Sequence, residues 1–234
     1  MMRWLNVKQP EPERYFQSDF LERFTFFRLR TVWIIWAPIA LFSLFGSFYV
    51  SGKVLAESSF LLITAGILLT TVLGILRWSL LEYFLHRFPF HYDGPKEWGR
   101  KTSWYIHGIH HKQAMLSTRL VAPPLFSLAV GTLIALLDWL FLGFILGAGW
   151  IGLALYAGTA FGYLIYDTLH WSVHFIDTDW PWYRKLRSHH MRHHRFPHGR
   201  FGVSNTLWDH VFRTYPKSKE AEETKAREAS SPTD

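Results

Sequence analysis

The chain has 234 residues, no cysteine and a formal charge of +7, so disulfides, cysteine-ligated metal sites and iron–sulfur clusters are excluded. Charged residues make up only 18% of it, below the roughly 25% of ordinary soluble domains. The mean hydropathy of +0.04 averages long apolar runs and charged segments, a pattern that argues against an ordinary soluble domain and predicts an all-α integral membrane protein.

Residues 1–30 are predicted to form an N-terminal cytosolic or interfacial segment. They contain no apolar run followed by a small-residue cleavage site, so they are not typical of a signal peptide. Asp19 and Glu22 have the spacing of a capping box, which predicts the start of a helix. That helix would carry four apolar residues on one face: Phe20, Leu21, Phe24 and Phe27. We expect it to lie in the membrane interface, and a solvated lead-in is the alternative.

Four apolar runs predict membrane-spanning helices over about 31–50, 58–81, 120–138 and 146–168. At 1.5 Å per residue, about 20 residues cross a hydrocarbon core roughly 30 Å thick. Residues 120–166 carry a single charge, Asp138, and are too long for one span, so a turn is expected between Asp138 and Gly149. Buried helices of a large soluble core are the alternative, but this chain is too short to surround four of them.

The distribution of lysine and arginine predicts the orientation of these spans. Six precede residue 31, six lie in residues 82–119 and eleven follow His170, whereas the connection after the first span carries one. Basic segments stay in the cytoplasm, so we expect cytosolic termini and a cytosolic, helical, histidine-rich cap of residues 82–119 and 169–215. Residues 31–215 would form one domain. The tail at 216–234 is rich in Glu, Lys, Ser and Ala and is expected to be disordered.

The 13 histidines carry the functional signal. None occurs before residue 86 or between 112 and 169, so all lie in segments predicted to be cytosolic. His170 and His174 are four residues apart, and segments 107–111 and 190–194 combine spacings of three and four, which put several donors on one helix face. Pro89 should end a helix, so that His91 can turn back toward the same site as His86. These clusters predict metal binding.

Ten histidines remain when three others, His189, His198 and His210, are set aside. A structural zinc takes four ligands, so ten donors favour two metal ions with about five histidines each. Imidazole suits both iron and zinc, but zinc offers no redox chemistry. A nucleic-acid-binding protein has no support beyond the positive charge, so we expect no nucleic acid partner. A zinc-binding transporter or sensor is the alternative from a different class, although a transporter should place ionisable ligands within its spans.

Seven stretches resemble the fatty acid hydroxylase superfamily, and most closely the fatty acid 2-hydroxylases, over roughly residues 15–215. They are residues 15–20 (YFQSDF), 82–91 (EYFLHRFPFH), 107–111 (HGIHH), 119–124 (RLVAPP), 166–174 (YDTLHWSVH), 190–194 (HMRHH) and 201–212 (FGVSNTLWDHVF). The histidine motifs mark only the superfamily, which includes sterol-modifying enzymes. The RLVAPP and FGVSNTLWD stretches point to the 2-hydroxylases.

The resemblance implies a membrane-bound di-iron oxygenase that uses O2 to hydroxylate carbon 2 of long-chain fatty acids or of the acyl chains of sphingolipids such as ceramide. A superfamily member acting on sterols or another lipid is the alternative. Zinc is an expected substitute for iron in an isolated protein. Carried over position by position, the metal ligands are His86, His91, His107, His110, His111, His170, His174, His190, His193 and His194.

Many relatives carry a cytochrome b5 domain, and about 30 residues before the first span are too few for one. The resemblance therefore implies a separate electron donor, such as a cytochrome b5-like protein, a ferredoxin or a reductase. It implies a multi-pass protein of the endoplasmic reticulum membrane if the source is eukaryotic, or of the cytoplasmic membrane if it is bacterial.

Residues outside the histidine motifs also receive expected roles. Asp167 is expected to orient a ligand imidazole, and Tyr166 to contact the substrate head group. A helix-end polar group and an interface aromatic are the respective alternatives. Arg119 is expected either to hold a carboxylate or phosphate or to lie at headgroup level. Trp208 and Asp209 are expected to dock the tail onto the histidine-rich region.

Overall fold

The computed structural model describes residues 2–6, 8–55 and 59–216, and these residues are mostly helical, as predicted. Two short strands, β1 Met2–Trp4 and β2 Ile176–Thr178, pair antiparallel, so the fold is not purely α-helical. The part of the predicted disordered tail from residue 217 onward lies outside the described residues. The α-helices are α1 Asp19–Glu22, α2 Leu29–Val54, α3 Phe60–Leu85, α4 Glu97–Ser103, α5 Ile109–Lys112, α6 Pro124–Asp138, α7 Gly149–Phe175, α8 Pro181–Arg195 and α9 Leu207–Val211.

Three wider, π-helical turns lie next to these helices, at His86–Phe90, Trp104–Gly108 and Trp139–Ile145. The first replaces the α-helical pattern at the end of α3, where Pro89 has no N–H to donate to the carbonyl of Leu85. The last extends α6 past Asp138, so the chain reverses only at residues 146–148, where Gly147 has a φ of +62°. Such turns occur often at functional sites.

Three helical stretches of the described chain are long and apolar enough to cross a membrane: Leu29–Val54, Phe60–Phe90 and Pro124–Ile145. Their outward side chains fit a lipid environment, since Phe42, Leu61 and Leu125 are each more than 70% exposed. The fourth predicted span falls on α7, which is not among the three. Four spans therefore remain a prediction.

The chain divides into two compact units. The described residues of Met1–Phe26, Leu80–Val121 and Thr168–Asp234 form one, here called the histidine unit because it contains all 13 histidines. Phe27–Ser79 and Ala122–Asp167 form the other, here called the apolar unit. Helices α3 and α7 contribute residues to both.

Within the apolar unit, α7 lies alongside α2 in the antiparallel sense. The Ser47 hydroxyl of α2 donates to the carbonyl of Trp150 at the start of α7, over 2.8 Å. Further along, the rings of Trp36 and Tyr163 meet edge to face with centroids 5.0 Å apart. Helix α6 joins the same packing, because the Trp36 indole N–H donates to Ser127 over 3.2 Å.

Helices α3 and α7 lie close together where two glycines face each other. A Cβ atom on Gly158 would lie 1.9 Å from the carbonyl oxygen of Thr71, and one on Gly74 would lie 2.3 Å from that of Leu155. Small residues allow this backbone approach between helices in a membrane.

Two charges of the apolar unit neutralise each other. The Arg77 guanidinium donates to both carboxylate oxygens of Asp138, over 2.6 and 2.8 Å, and its Nε donates to Thr159 over 2.9 Å. This bidentate geometry is the strong form of the ion pair. Charges within membrane-spanning segments are tolerated when they are paired in this way.

Glu22 and Arg119 form a buried ion pair in the histidine unit, which corrects the capping-box prediction. No side chain caps α1. The Glu22 carboxylate instead accepts the N–H groups of Tyr15 and Phe16, each over 2.9 Å, together with the Arg119 guanidinium. Arg119 also lies against the rings of Tyr15 and Phe26, 4.1 and 4.5 Å from their centroids. The carboxylate that Arg119 contacts is therefore one from its own chain.

This pair should make stability depend on pH. Burial works to raise the pKa of Glu22, but the N–H groups of Phe16 and Tyr15 and the charge of Arg119 outweigh it, so its pKa is lowered. A carboxyl group with a lowered folded-state pKa stabilises the fold above its unfolded pKa of about 4.3, and this contribution is lost as the pH falls through the folded-state value. We expect Glu22→Gln to cost about 3 kcal/mol at pH 7, because Arg119 stays buried without its charge partner.

The measurement is the unfolding temperature in detergent between pH 3 and pH 8. The difference between wild type and Glu22→Gln should be largest near neutrality and shrink at the acid end. Glu97→Gln is the matched control, because Glu97 forms an exposed i,i+4 pair with Lys101 and should matter little. A difference that stays constant across the whole pH range would contradict the assignment.

Candidate metal centre

Four segments of the histidine unit carry the ten histidines singled out in the sequence. The π-helical turn after α3 carries His86, and His91 follows it directly. The turn between α4 and α5, together with α5, carries the 107–111 set, the end of α7 carries His170 and His174, and α8 carries the 190–194 set. Helical spacing within each segment puts its rings on one face, as the sequence predicts.

The structure brings the ten rings together into two groups, and in each group the candidate donor atoms all lie within 4.8 Å of one another. Group A is His86, His91, His107, His111 and His193, and group B is His110, His170, His174, His190 and His194. Neighbouring residues are divided between them: His110 and His111 belong to different groups, and so do His193 and His194. The sequence predicts about five histidines per ion, and each group contains five.

The spacing of the ring nitrogens fits a shared metal ion. In group A the Nε2 atom of His86 lies 2.9 Å from that of His107, and the Nε2 atoms of His91 and His193 are 3.0 Å apart. In group B the Nε2 atoms of His174 and His190 are 2.9 Å apart. Two nitrogens that bind one ion at about 2.1 Å, at right angles, lie about 3.0 Å from each other. The Nε2 atoms of each group therefore stand where the ligands of one ion would.

The histidines of both groups are held in the neutral form that metals bind. Burial, helped by repulsion from neighbouring imidazoles, lowers the pKa values of His107, His110, His190 and His193 well below the ordinary value of 6.5. The same two causes lower the pKa of His194 to about 3. Neutral imidazoles need not lose a proton before they coordinate a metal at pH 7. The donor set is therefore suited to iron or zinc, and it supplies no negative charge of its own.

An open cavity of about 580 Å³ reaches both groups from outside. His91 and His111 of group A and His194 of group B line it, together with the aromatic residues Phe90 and Trp104. These three histidines are partly buried, whereas the other seven are fully buried. Small molecules can therefore approach both metal positions through one opening.

Three further residues of the histidine unit, His189, Asp209 and Glu82, lie outside the two groups. His189 belongs to neither group, and its Nε2 lies 3.1 Å from Asp209 Oδ2. Asp209 was expected to dock the tail onto the histidine-rich region. In the structure its carboxylate accepts main-chain N–H groups of the loop that follows α8. Glu82 accepts two further N–H groups of that loop, from Val203 and Ser204. The FGVSNTLWD stretch contains Asp209 and the EYFLHRFPFH stretch begins at Glu82, but neither stretch indicated that these carboxylates bind the loop backbone.

Tyr166 and Asp167 lie in the apolar unit, near the end of its share of α7. Both are buried, with 7% and 1% of their surface exposed. The Tyr166 ring lies against those of Trp78 and Tyr163, with centroids 5.9 and 6.2 Å away. The roles expected for the pair toward the metals and the substrate remain predictions.

Comparison with known proteins places these features in a family. Residues 71–214 match the family model described as "Fatty acid hydroxylase". The chain is 35% identical to a dihydroceramide fatty acyl 2-hydroxylase of Arabidopsis thaliana, with 90% of this chain and 83% of that protein aligned. It is 33% identical to a fatty acid 2-hydroxylase of Rattus norvegicus, covering 90% of this chain and 59% of that one. A solved structure titled full-length scs7p, with only its hydroxylase domain visible, superposes with a TM-score of 0.71 at 31% identity, covering 84% of this chain and 70% of the other.

Proposed function

Because this chain belongs to the fatty acid hydroxylase family, we propose that it hydroxylates carbon 2 of long acyl chains, either free fatty acids or the amide-linked chains of ceramide-type sphingolipids. The two five-histidine groups carry the proposal, since they provide the metal centre that such a reaction needs. The relatives named for dihydroceramide and ceramide hydroxylation support the amide-linked substrate.

We propose that groups A and B each hold one iron ion and that zinc binds there when the protein is isolated. Iron would supply the redox chemistry toward O2, which zinc and imidazole both lack. The reaction balances as R–CH2–COX + O2 + 2 e⁻ + 2 H⁺ giving R–CHOH–COX + H2O. One oxygen atom enters the C2–H bond and the other leaves as water. The ten neutral imidazoles would hold the two ions, and the surrounding burial would limit the access of water.

The remaining task of the chain is to place carbon 2. We propose that Tyr166 contacts the polar head of the acyl chain and that Asp167 orients a ligand imidazole. Their support is their position in the YDTLHWSVH stretch, three and four residues before His170, and their burial. Correct placement of a reacting bond supplies a large part of the catalytic effect in enzymes of this kind.

We propose that the protein is a multi-pass membrane protein with four spans, cytosolic termini and the histidine unit on the cytosolic side. Three apolar helices support this, and α7 packs lengthwise against α2 within the same unit. The basic charge of the histidine unit supports its cytosolic location. The membrane would be the endoplasmic reticulum in a eukaryote or the cytoplasmic membrane in a bacterium.

A separate protein would supply the two electrons. The sequence contains no cysteine, so it has no ligands for an iron–sulfur cluster, and its ten clustered histidines are taken by the proposed metal ions. We propose a cytochrome b5-like protein, a ferredoxin or a reductase as this donor. The cavity that reaches His91, His111 and His194 would admit O2 to both metal positions.

Mass spectrometry of total lipids tests the proposed reaction. The chain is expressed in a host that makes ceramides but lacks 2-hydroxylated lipids, with its own membranes supplying the electron donor. We expect 2-hydroxy acyl chains in cells with the wild-type chain and none in cells with the empty vector. A modified sterol ring in place of a 2-hydroxy acyl chain would support the sterol alternative. Bound metal without any oxidised lipid would support a zinc transporter or sensor.

A further inference from the structure

The loop at residues 199–204 links two buried carboxylates to two rings of group A. His86 Nδ1 donates to the carbonyl oxygen of Phe201 over 2.6 Å, and His193 Nδ1 donates to that of Gly199 over 2.7 Å. Each bond keeps the proton on Nδ1, so the Nε2 lone pair of the same ring faces the metal position. The orientation of these two group A rings therefore depends on where the loop backbone lies.

Asp209 holds that backbone. Its Oδ1 accepts the N–H of Phe201 over 2.8 Å and the hydroxyl of Thr214 over 2.6 Å, and its Oδ2 accepts the N–H of Gly202 over 2.8 Å. Its Oδ2 also lies 3.1 Å from Nε2 of His189, which belongs to neither group. Asp209 is completely buried, so these bonds are shielded from water. At the far end of the loop, the Glu82 carboxylate accepts the N–H groups of Val203 and Ser204 over 2.6 and 2.8 Å.

The loop conformation needs such a restraint. Arg200 has a φ of +62°, in the left-handed region that a residue with a side chain rarely adopts. A Cβ atom on Gly202 would lie 2.1 Å from the carbonyl oxygen of Asn205. Backbone strain of this kind persists only where the surroundings fix it, and it is concentrated at functional sites.

Group B is held differently. The Nδ1 atoms of His110, His174, His190 and His194 are buried and have no hydrogen-bond partner within the described residues. Their rings pack against one another, as those of His174 and His190 do edge to face, with centroids 4.9 Å apart. The two metal positions differ in what surrounds their ligands, although each has five histidines.

We propose that Asp209 is a positioning residue for the metal ion of group A and not for that of group B. It acts through the carbonyl groups of Phe201 and Gly199, which fix the rings of His86 and His193. The inference rests on the proposed two-metal site. Loss of such an outer partner typically lowers metal affinity about 10- to 100-fold. In Asp209→Asn, one carboxylate oxygen becomes an NH2 group that cannot accept the N–H it faces.

The experiment measures zinc content per purified chain, by elemental mass spectrometry, after dialysis against graded concentrations of a chelator. We expect the wild type to hold two ions and Asp209→Asn to lose one of them at a chelator concentration about 10- to 100-fold lower, with the other retained as in wild type. His190→Ala should hold only the group A ion. Adding Asp209→Asn to this variant should release that ion at a chelator concentration about 10- to 100-fold lower. His193→Ala should hold only the group B ion, and adding Asp209→Asn should leave it in place.

Asp177→Asn is the matched control, because Asp177 lies in the same unit but outside both histidine groups, and its carboxylate pairs with Arg3 over 3.1 Å. It should release both ions as the wild type does. If Asp209→Asn does not fold, Thr214→Val removes one hydrogen bond from Asp209 and should weaken the same ion less strongly. Equal weakening of both ions, weakening of neither, or loss of the ion retained by His193→Ala would overturn the proposal.

The assay needs neither substrate nor electron donor, so it is separate from the test of the reaction. Two bound ions with selective loss in Asp209→Asn, but no 2-hydroxy lipid from the wild type, would refute the proposed activity and keep this inference. Normal 2-hydroxy lipid from the wild type, together with equal loss of both ions in Asp209→Asn, would support the proposed activity and refute this inference.

Discussion

Replacing His110 or His193 with alanine is expected to reduce 2-hydroxy lipid formation at least about 100-fold, since each change removes one of five ligands from a metal position. His110 belongs to group B and His193 to group A, and both are almost completely buried. The reaction as proposed requires both ions. Loss of either ligand should therefore be as damaging as loss of the other.

Lipid analysis of cells expressing each variant measures this effect, and the metal content of the purified proteins supports it. His210→Ala is the matched control, because His210 is exposed, lies outside both groups and stacks on Tyr215. It should retain wild-type product. Full hydroxylation by either the His110 or the His193 variant would show that the catalytic assignment is wrong.

Gly158→Ala is expected to destabilise the apolar unit by more than about 3 kcal/mol or to prevent folding. The new methyl group would lie 1.9 Å from the carbonyl oxygen of Thr71 and 2.9 Å from the Cα atom of Gly74. Both are backbone atoms, so no rotation of a side chain can make room, and α3 and α7 must separate.

Gly52→Ala is the matched control, because no described atom beyond its own turn of helix lies within 4 Å of the added Cβ. It also lies in a helix, α2, where alanine is favoured over glycine by about 0.5–1 kcal/mol. Unfolding temperature and gel filtration in detergent compare the two variants. An unfolding temperature for Gly158→Ala equal to that of the wild type would contradict the close helix approach.

Long runs without charges carried most of the prediction of the fold. The runs at about 31–50, 58–81 and 120–138 predicted helices, which the structure places at Leu29–Val54, Phe60–Leu85 and Pro124–Asp138, because the length and apolarity of a run are properties of neighbouring residues. The β1–β2 pairing and the Arg77–Asp138 pair were not predicted. Each joins residues far apart in sequence, and no local pattern of residues indicates which partner a distant segment supplies.

In the candidate site, too, local spacing was predictable from the sequence and contacts between distant segments were not. Spacings of three and four predicted which histidines share a face, and the structure brings those ten together. Spacing could not say that His110 and His111 serve different groups, since that depends on where the other three segments lie. The roles of Glu82 and Asp209 were hidden for a similar reason: each carboxylate acts on main-chain N–H groups, which every residue possesses and no sequence pattern marks.

The two histidine doublets, His110–His111 and His193–His194, have a consequence for the distance between the two proposed metal ions. Consecutive residues of a helix point about 100° apart, so each doublet can direct one ring to one ion and the next ring to the other. Each doublet is then a rigid spacer made of backbone, and two of them act in parallel. In the proposed two-metal site, helical geometry would thereby set the separation of the ions, and inserting a single residue within either doublet would put its donors out of phase with both ions.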